Sequence, residues 1–389
     1  EIGSGLVGSE MCIRDRESRR PIRFWNPGKF YDFTLLFIVI FLVGFGLVMV
    51  YSASSYTAAL DHQGDSAYFL KRQAFFAVIG LVIMFVVSQI DYHILKKLTV
   101  IGFLGISILL LVTMVAGSAG GAGEGSTRWI ELGPIRFQPS ELAKLIIIMY
   151  VAYAATQQVW KLNDWRVLAK IMFPPLIIIG LIVKENLSTA IICGVITMAI
   201  LFVASPKYWH FVALGAAAVV GGIAMIFLVS YRSDRIDAWR NVETHPKGYQ
   251  TLQSLYAIGS GGLWGKGLGQ SIQKMDFIPE VQNDMIFSVI CEELGLVGGI
   301  ALILLFIFLI WRLMVVIINA RDLYGSLLVV GVMAHISVQV LINIAVVTNT
   351  IPNTGIPLPF ISYGGTSLTF LLVEMGIVLS VAKQIKMRK

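Results

Sequence analysis

Asp284 is the residue whose type and position most clearly suggest a chemical role. It lies in the stretch PEVQNDMIFSVICEELGLVG, residues 279–298, just before an apolar run. An acid at the head of a membrane helix stays ionised only where it faces water or a polar cavity, so it is a candidate for proton chemistry. The alternative is ordinary helix chemistry, with Asn283 as N-cap and Asp284 stabilising the helix dipole by at most ~1 kcal/mol.

Glu141 and Lys144 form a second pair of charges at the start of an apolar run. Pro139 and Ser140 predict a helix start there, with Ser140 as the N-cap. Residues three apart share one helix face, so the two charges can pair. Charges inside a membrane are costly and usually functional. A structural ion pair and a functional pair therefore both remain open.

Lys266 lies in a glycine-rich run, GYQTLQSLYAIGSGGLWGKGLGQS. The spacing does not match a phosphate-binding P-loop, because Gly267 stands where that motif has Ser or Thr and no strand precedes it. The run predicts a flexible re-entrant or interfacial segment. The alternative is that backbone amides beside Lys266 and Lys274 cradle a lipid-linked pyrophosphate.

The remaining polar residues of the apolar runs suggest helix contacts. Glu292 or Glu293 could pair with a basic residue of another helix, and His335, Gln339 and Asn343 recur at a spacing that predicts a hydrogen-bonded seam. The sequence contains no HExxH, paired CxxC or GxSxG motif, so it predicts no metal ligand set and no serine hydrolase.

Composition places the chain in the membrane. Of its 389 residues 57% are hydrophobic and 14% charged, whereas about a quarter are charged in soluble domains. The net charge of +7 would suggest nucleic acid in a soluble protein. Here Lys and Arg gather at the ends of apolar spans, as the positive-inside rule expects. We therefore expect a multi-pass protein of the cell membrane with both termini in the cytoplasm, and no nucleic acid partner.

Apolar runs of suitable length predict an all-α fold of ten transmembrane helices. They fall at 33–52, 73–90, 99–117, 141–157, 169–184, 187–204, 209–230, 296–316, 325–346 and 367–383. Lys184, Glu185 and Asn186 are expected to form a tight outer turn.

The spans divide the chain into one membrane domain with short flanks. Residues 1–16 resemble translated sequencing-adapter read-through, and we expect them to be foreign to the fold. The other divisions are a basic N-terminus at 17–32, the membrane domain at 33–385, outer loops at 117–140, 231–283 and 348–366, and a basic tail at 386–389. The polar content of the three loops predicts function on the outer face.

Five motifs in order resemble the SEDS family, which includes FtsW, RodA and SpoVE. They are GLVMVYSASS at 46–55, RFQPSELAK at 136–144, AIGSGGLWGKGLGQS at 257–271, IPEVQNDMIFSVICEELGLVG at 278–298 and NTGIPLPFISYGGTS at 353–367. The likeness covers about residues 31–385. Within the family, GFGLVMVYSASS and LFVASPKYWHF are more similar to FtsW than to RodA.

The resemblance implies a peptidoglycan glycosyltransferase that polymerises lipid II outside the cytoplasmic membrane, with a class B penicillin-binding protein and other divisome membrane proteins as partners. It places the essential aspartate at Asp284. The residues expected to bind substrate are Arg128, Trp129, Glu141, Lys144, Lys266, Ser362 and Tyr363. Many members have an aspartate in the turn after the fifth span, where this chain reads Glu185-Asn186-Leu187, so a role resting on that carboxylate does not transfer.

Several alternatives remain open. A RodA-like role in elongation or a SpoVE-like role in sporulation fits the same motifs. A lipid II flippase, for which Glu374 would be the supporting feature, and a non-catalytic divisome scaffold belong to other classes. No cofactor is certain, and Mg or Mn is the divalent cation that could assist the departing pyrophosphate.

Overall fold

The computed structural model describes residues 32–116, 130–132, 135–205, 209–213, 215, 230–275 and 277–385. These residues are almost entirely helical. The helices are α1 Phe33–Asp61, α2 Tyr68–Gln89, α3 Leu95–Ala116, α4 Pro139–Gln157, α5 Trp165–Glu185, α6 Leu187–Ala204, α7 Ser230–Arg240, α8 Tyr249–Gly261, α9 Ile286–Asn319, α10 Leu323–Val347 and α11 Gly365–Lys383. A short antiparallel hairpin, β1 Ile130–Leu132 and β2 Ile135–Phe137, precedes α4.

Eight helices of the described part are long and apolar enough to cross a membrane. They are α1, α2, α3, α5, α6, α9, α10 and α11. The predicted span at 141–157 coincides with α4, which is mostly buried. The predicted span at 209–230 lies largely outside the described residues. The chain is therefore a multi-pass membrane protein with an all-α architecture, as the sequence predicts.

The helices are apolar on their outward faces as well as in the core. Phe33, Ile101 and Leu341 are at least two-thirds exposed, whereas Leu35 and Leu328 are fully buried. A helix at a water interface would be polar on its outer side. Apolar surface on both sides is what hydrocarbon requires as the surrounding solvent.

Polar contacts fix one end of the bundle. The carboxylate of Asp32 accepts from the backbone amide of Leu35 (3.0 Å) at the start of α1, and it pairs with Arg312 of α9 (3.0 Å). At the same end, the ring of His93 contacts Asp91 at 2.7 Å and Asp322 at 3.0 Å. These contacts hold the ends of α1, α2, α9 and α10 together, and we call this the Asp32 end.

The tight turn after α5 is confirmed. Helix α5 ends at Glu185, and the side chain of Asn186 accepts a hydrogen bond from the amide of Thr189 (3.1 Å), which caps α6. A short polar side chain at this position ends one helix and starts the next. The side chain of Glu185 lies outside the described part of the structure.

Helix α9 is broken at Gly295. The backbone there has φ +71° and ψ −173°, outside the helical range. Residues 262–275, which we call the return segment, fill the break. The amides of Lys266 and Gly267 donate to the carbonyls of Glu292 and Glu293 (both 2.9 Å). The amides of Leu296 and Val297 donate to the carbonyls of Gly262 and Leu263 (2.9 and 3.2 Å).

The break requires glycine for two reasons. A positive φ is strained for other residues. A Cβ at Gly295 would also stand 2.3 Å from the carbonyl oxygen of Leu263 and 2.4 Å from the amide of Gly265. The return segment therefore cannot keep its place beside α9 if this residue gains a side chain.

We expect Gly295→Ala to destabilise the protein by at least the ~1–3 kcal/mol that a strained backbone costs, measured by denaturant unfolding in detergent micelles. The matched control is Gly194→Ala in α6, where a Cβ meets no atom within 4 Å; it should be neutral or stabilise by up to ~1 kcal/mol. Equal unfolding midpoints for the two variants would contradict the assigned role of Gly295.

Candidate active site

Asp284 lies in the turn that precedes α9. The side-chain amide of Asn343 in α10 donates to the main-chain carbonyl of Asp284 (2.7 Å) and to that of Ile356 (2.8 Å). Asn343 is fully buried. One fixed amide therefore ties the Asp284 turn to the loop that follows α10.

The capping roles expected from the sequence are corrected by the structure. Asn283 bonds the side chain of Glu280 (2.7 Å) and gives α9 no side-chain cap. Helix α4 begins at Pro139, with Gln138 in the cap position, so Ser140 lies inside the first turn. Pro139 fits there because the first helical residue needs no amide donor.

The carboxylate of Asp284 lines a cavity of about 410 Å³ that is open to the outside of the bundle. The cavity lies between α7, the start of α8, the Asp284 turn and the loop after α10. Its walls comprise Arg235, Ala238, Trp239, Pro246, Lys247, Gly248, Tyr249, Gln250, Thr251, Pro279, Asp284, Asn349, Asn353 and Gly355. Helix α7 and the loop after α10 thus supply residues far from Asp284 in sequence.

Hydrogen bonds hold the cavity walls together. Gln250 donates to Asp284 at 3.4 Å and accepts from Asn353 at 3.0 Å. Arg235 donates to the carbonyl of Asn353 (3.0 Å), and the indole of Trp239 donates to the carbonyl of Asn349 (2.9 Å). The cavity shape therefore depends on contacts between α7, α8 and the loop after α10.

The pKa of Asp284 is raised to about 6. Burial is the main cause, because removing water disfavours the charged carboxylate. The negative charge of Glu280 raises the pKa further, while Arg235 and the hydrogen bond from Gln250 oppose the shift. A carboxylate with this pKa is ionised at neutral pH and accepts protons more readily than an ordinary aspartate, which suits a general base.

Glu141 and Lys144 form the ion pair that the sequence suggested. Their charged groups are 2.9 Å apart and both side chains are buried. Ser367 of α11 donates to the second oxygen of Glu141 (2.8 Å). The pair therefore links α4 to α11, which supports the structural interpretation without testing a role in binding.

Ser362 and Tyr363 lie in the loop between α10 and α11. The hydroxyl of Ser362 accepts from the amide of Leu358 (2.8 Å). The amide of Tyr363 donates to the carbonyl of Gln282 (2.8 Å), two residues before Asp284. Ser362 and Tyr363 also line a small void of about 10 Å³ with Ser367. The loop is therefore joined to the Asp284 turn, and it lies beside Ser367, which donates to Glu141.

Lys266 faces α9 rather than the cavity. Its ammonium group is 2.7 Å from Glu292, and that of Lys274 is 2.8 Å from Glu293. The amide of Lys266 is occupied as well, by the carbonyl of Glu292. These contacts use the groups that would cradle a pyrophosphate, so a binding role for Lys266 stays a prediction. The predicted substrate residues Arg128 and Trp129 lie outside the described residues.

Sequence reasoning missed most of the cavity. Arg235, Trp239, Gln250 and Asn353 were not singled out, although Arg235 and Trp239 are one helical turn apart in the polar stretch SDRIDAWR. That spacing places two large polar side chains on one face of a helix, and it is the signal that could have found them. The seam expected of the ninth span is present only in part: His335 contacts Glu374 of α11 (2.8 Å), whereas Gln339 and Asn343 donate to backbone carbonyls of loops.

Sequence comparison groups the chain with known proteins. Residues 33–387 match the FtsW, RodA and SpoVE family model, described as cell cycle protein. Stage V sporulation protein E of Bacillus subtilis (strain 168) is 39% identical over 358 residues, covering 90% of this chain and 97% of that protein. A probable peptidoglycan glycosyltransferase FtsW of Geobacter sp. (strain M18) is 38% identical over 363 residues, covering 92% and 98%.

Two solved structures share the fold. A chain from "Structural coordination of polymerization and crosslinking by a peptidoglycan synthase complex" aligns with TM-score 0.75 and 27% identity, covering 90% of this chain and 97% of that one. The rod shape determining protein RodA of Thermus thermophilus aligns with TM-score 0.67 and 27% identity, covering 92% and 98%.

We expect Lys144→Met to destabilise the protein by about 3–5 kcal/mol, because it leaves the buried carboxylate of Glu141 without its partner charge. The double variant Glu141→Gln/Lys144→Met should recover most of this loss. Denaturant unfolding in mixed micelles measures the stability of the single and the double variant. The control is Lys71→Met, which removes an exposed ion pair with Asp65 and should not change the unfolding midpoint. A double variant no more stable than Lys144→Met would contradict the explanation.

Proposed function

The chain belongs to the FtsW/RodA/SpoVE family of cell cycle proteins, and we propose that it polymerises lipid II into glycan strands with Asp284 as the general base. It is a peptidoglycan glycosyltransferase of the FtsW type, as its curated relatives are named. The observation that carries the catalytic assignment is the partly buried carboxylate of Asp284 on the wall of an open cavity of about 410 Å³.

In the proposed reaction Asp284 accepts one proton. The 4-hydroxyl oxygen of the acceptor sugar attacks the anomeric carbon of the lipid-linked donor. The bond from that carbon to the pyrophosphate breaks, and its electron pair leaves with undecaprenyl pyrophosphate. The hydroxyl proton passes to Asp284, which must lie within hydrogen-bond reach of the acceptor. A pKa of about 6 keeps the carboxylate ready for this transfer at neutral pH.

The departing pyrophosphate needs positive charge nearby. Arg235 and Lys247 line the same cavity as Asp284, so we assign them to the pyrophosphate. Lys144, which is paired with Glu141, and the predicted Arg128, Trp129, Lys266, Ser362 and Tyr363 remain candidates for other parts of the substrate.

A divalent cation would find few protein ligands at this site. The described part of the chain has no group of three His, Cys, Asp or Glu side chains placed to hold a metal. Mg²⁺ is often bound by one or two carboxylates together with substrate phosphates. A cation at this site would therefore be held chiefly by the phosphates of the substrate, would supply charge to the pyrophosphate, and would leave Asp284 as the base.

The placement of the protein follows from this chemistry. We assign the Asp284 face to the outer side of the cell membrane and both termini to the cytoplasm. A class B penicillin-binding protein is the proposed partner, supported by the structural likeness to a chain from a peptidoglycan synthase complex. Division is the proposed setting, and elongation or sporulation would use the same site, since the Bacillus subtilis sporulation protein is similarly close in sequence.

The flippase alternative has one observation in its favour. His335 and Glu374 form a buried contact of 2.8 Å between α10 and α11, and buried charges inside a bundle often mark a transport path. Polymerisation of lipid II by purified protein, where no transport across a membrane is needed, distinguishes the two functions.

We expect Asp284→Asn to lower the rate of lipid II polymerisation by about 10²–10⁴-fold, the usual contribution of a general base. The assay uses purified protein with its cognate penicillin-binding protein, made active only in transpeptidation. Glu243→Gln, which changes an exposed carboxylate of the loop at 231–283 that leads to Asp284, is the matched control and should keep the full rate. Polymer made at the full rate by Asp284→Asn would refute the mechanism, and a wild-type protein that makes none would refute the function.

We expect kcat/KM to rise with pH and level off above an apparent pKa of about 6, because only the ionised form of Asp284 accepts a proton. Glu280→Gln removes a neighbouring negative charge and should move the midpoint to lower pH. Arg235→Gln removes a positive charge and should move it to higher pH. If neither substitution shifted the midpoint of the pH profile, a group other than Asp284 would be titrating.

A further inference from the structure

We propose that the return segment, residues 262–275, is immersed in the bilayer and that its outward face contacts lipid hydrocarbon. Its large apolar side chains Leu263, Trp264, Leu268, Ile272 and Met275 are exposed, with Trp264 80% exposed, and the polar residues Lys266 and Gln270 are exposed beside them. This placement does not rest on the proposed function.

The large apolar side chains and the lysines of the segment are arranged differently from those of a loop in water. Both lysines pair with buried carboxylates of α9: Lys274 is buried against Glu293, and Lys266, whose side chain is 29% exposed, pairs with Glu292. Glu293 also accepts from Ser52 of α1 at 2.7 Å. A loop in water would turn lysines out and apolar side chains in, because ammonium groups are strongly hydrated and apolar surface is not. Large apolar residues outside and charges paired with buried partners are the arrangement that hydrocarbon favours.

The backbone hydrogen bonds between the segment and α9 also fit a hydrocarbon environment. Irregular backbone is tolerated at membrane depth only where its polar groups have partners. The break in α9 frees carbonyls and amides, and the return segment binds them in both directions: Lys266 and Gly267 donate to α9, while Gly262 and Leu263 accept from it. These four groups of α9, the carbonyls of Glu292 and Glu293 and the amides of Leu296 and Val297, therefore have partners without water.

Residue counts along α1 and α9 give the depth of the segment in the bilayer. Ser52 is 20 residues from Asp32 along α1, which corresponds to about 30 Å at 1.5 Å per residue, the thickness of the hydrocarbon core. Asp32 pairs with Arg312, and Ser52 contacts Glu293. Glu293 is thus at the far boundary of the core when the Asp32 end marks the near one.

A count of residues along α9 from Arg312 places the segment on the hydrocarbon side of that boundary. Leu263 bonds Val297, which is 15 residues from Arg312 along α9, or about 22 Å. Leu263 and Trp264 therefore lie several ångströms inside the leaflet on the Asp284 side. The adjoining residues of α9, Leu296 and Val297, are nearly half exposed, so the outward face of the segment continues the lipid-facing surface of that helix.

Cysteine labelling in lipid nanodiscs tests the proposal, with the protein alone and both faces accessible. Leu263→Cys should react with a charged maleimide at least tenfold more slowly than Glu243→Cys, which is exposed in the turn after α7. The unmodified chain is the blank for its native cysteines, and the two variants should react equally after denaturation in SDS. Equal rates in nanodiscs would overturn the proposal.

Fluorescence gives a second readout that needs no cysteine. Brominated phosphatidylcholine should quench the emission that wild type has and Trp264→Phe lacks, while aqueous iodide should leave it almost unchanged. The reverse pattern would overturn the proposal. Fast labelling of the protein alone that slows only when a penicillin-binding protein is added would also overturn it and make the surface a protein interface.

Discussion

Two fully buried carboxylates, Glu292 and Glu293, impose the constraint on which this structure depends. Adjacent charges inside a membrane helix are too costly to leave unpaired. Their partners Lys266 and Lys274 come from the return segment, and that segment reaches them only because α9 opens at Gly295. The ion pairs, the broken helix and the apolar surface of the segment are therefore one arrangement.

That arrangement also positions the turn that carries Asp284. The part of α9 before the break leads directly from the Asp284 turn to Glu292 and Glu293. Alongside it, α8 runs in the same direction, since Gln250 contacts Asp284 while Gly261 packs against Cys291. The turn is thus held by the ion pairs of Glu292 and Glu293 further along α9 and by the hydrogen bond from Asn343. The carboxylate that we propose as the general base is therefore held in a fixed place.

The site was only partly predictable. Asp284 could be found because an acid at the head of an apolar run is unusual, and Glu141 with Lys144 because three residues separate them on one helix. Lys266 illustrates the limit, since its glycine-rich surroundings fit a phosphate cradle as well as a membrane segment. Its ion pair with Glu292 spans 26 residues of sequence, and no local pattern specifies such a partner.

The sequence alone determined the class of fold, most of the helix positions and the turn at Asn186, because an apolar run of about 20 residues is a local property that selects a spanning helix. Its motifs also determined the family. Tertiary structure decided the break at Gly295, the cavity that joins Arg235 and Asn353 to Asp284, and the partners of the buried charges Glu292 and Glu293. These features depend on contacts between residues far apart in the chain, where packing and desolvation decide which charges meet.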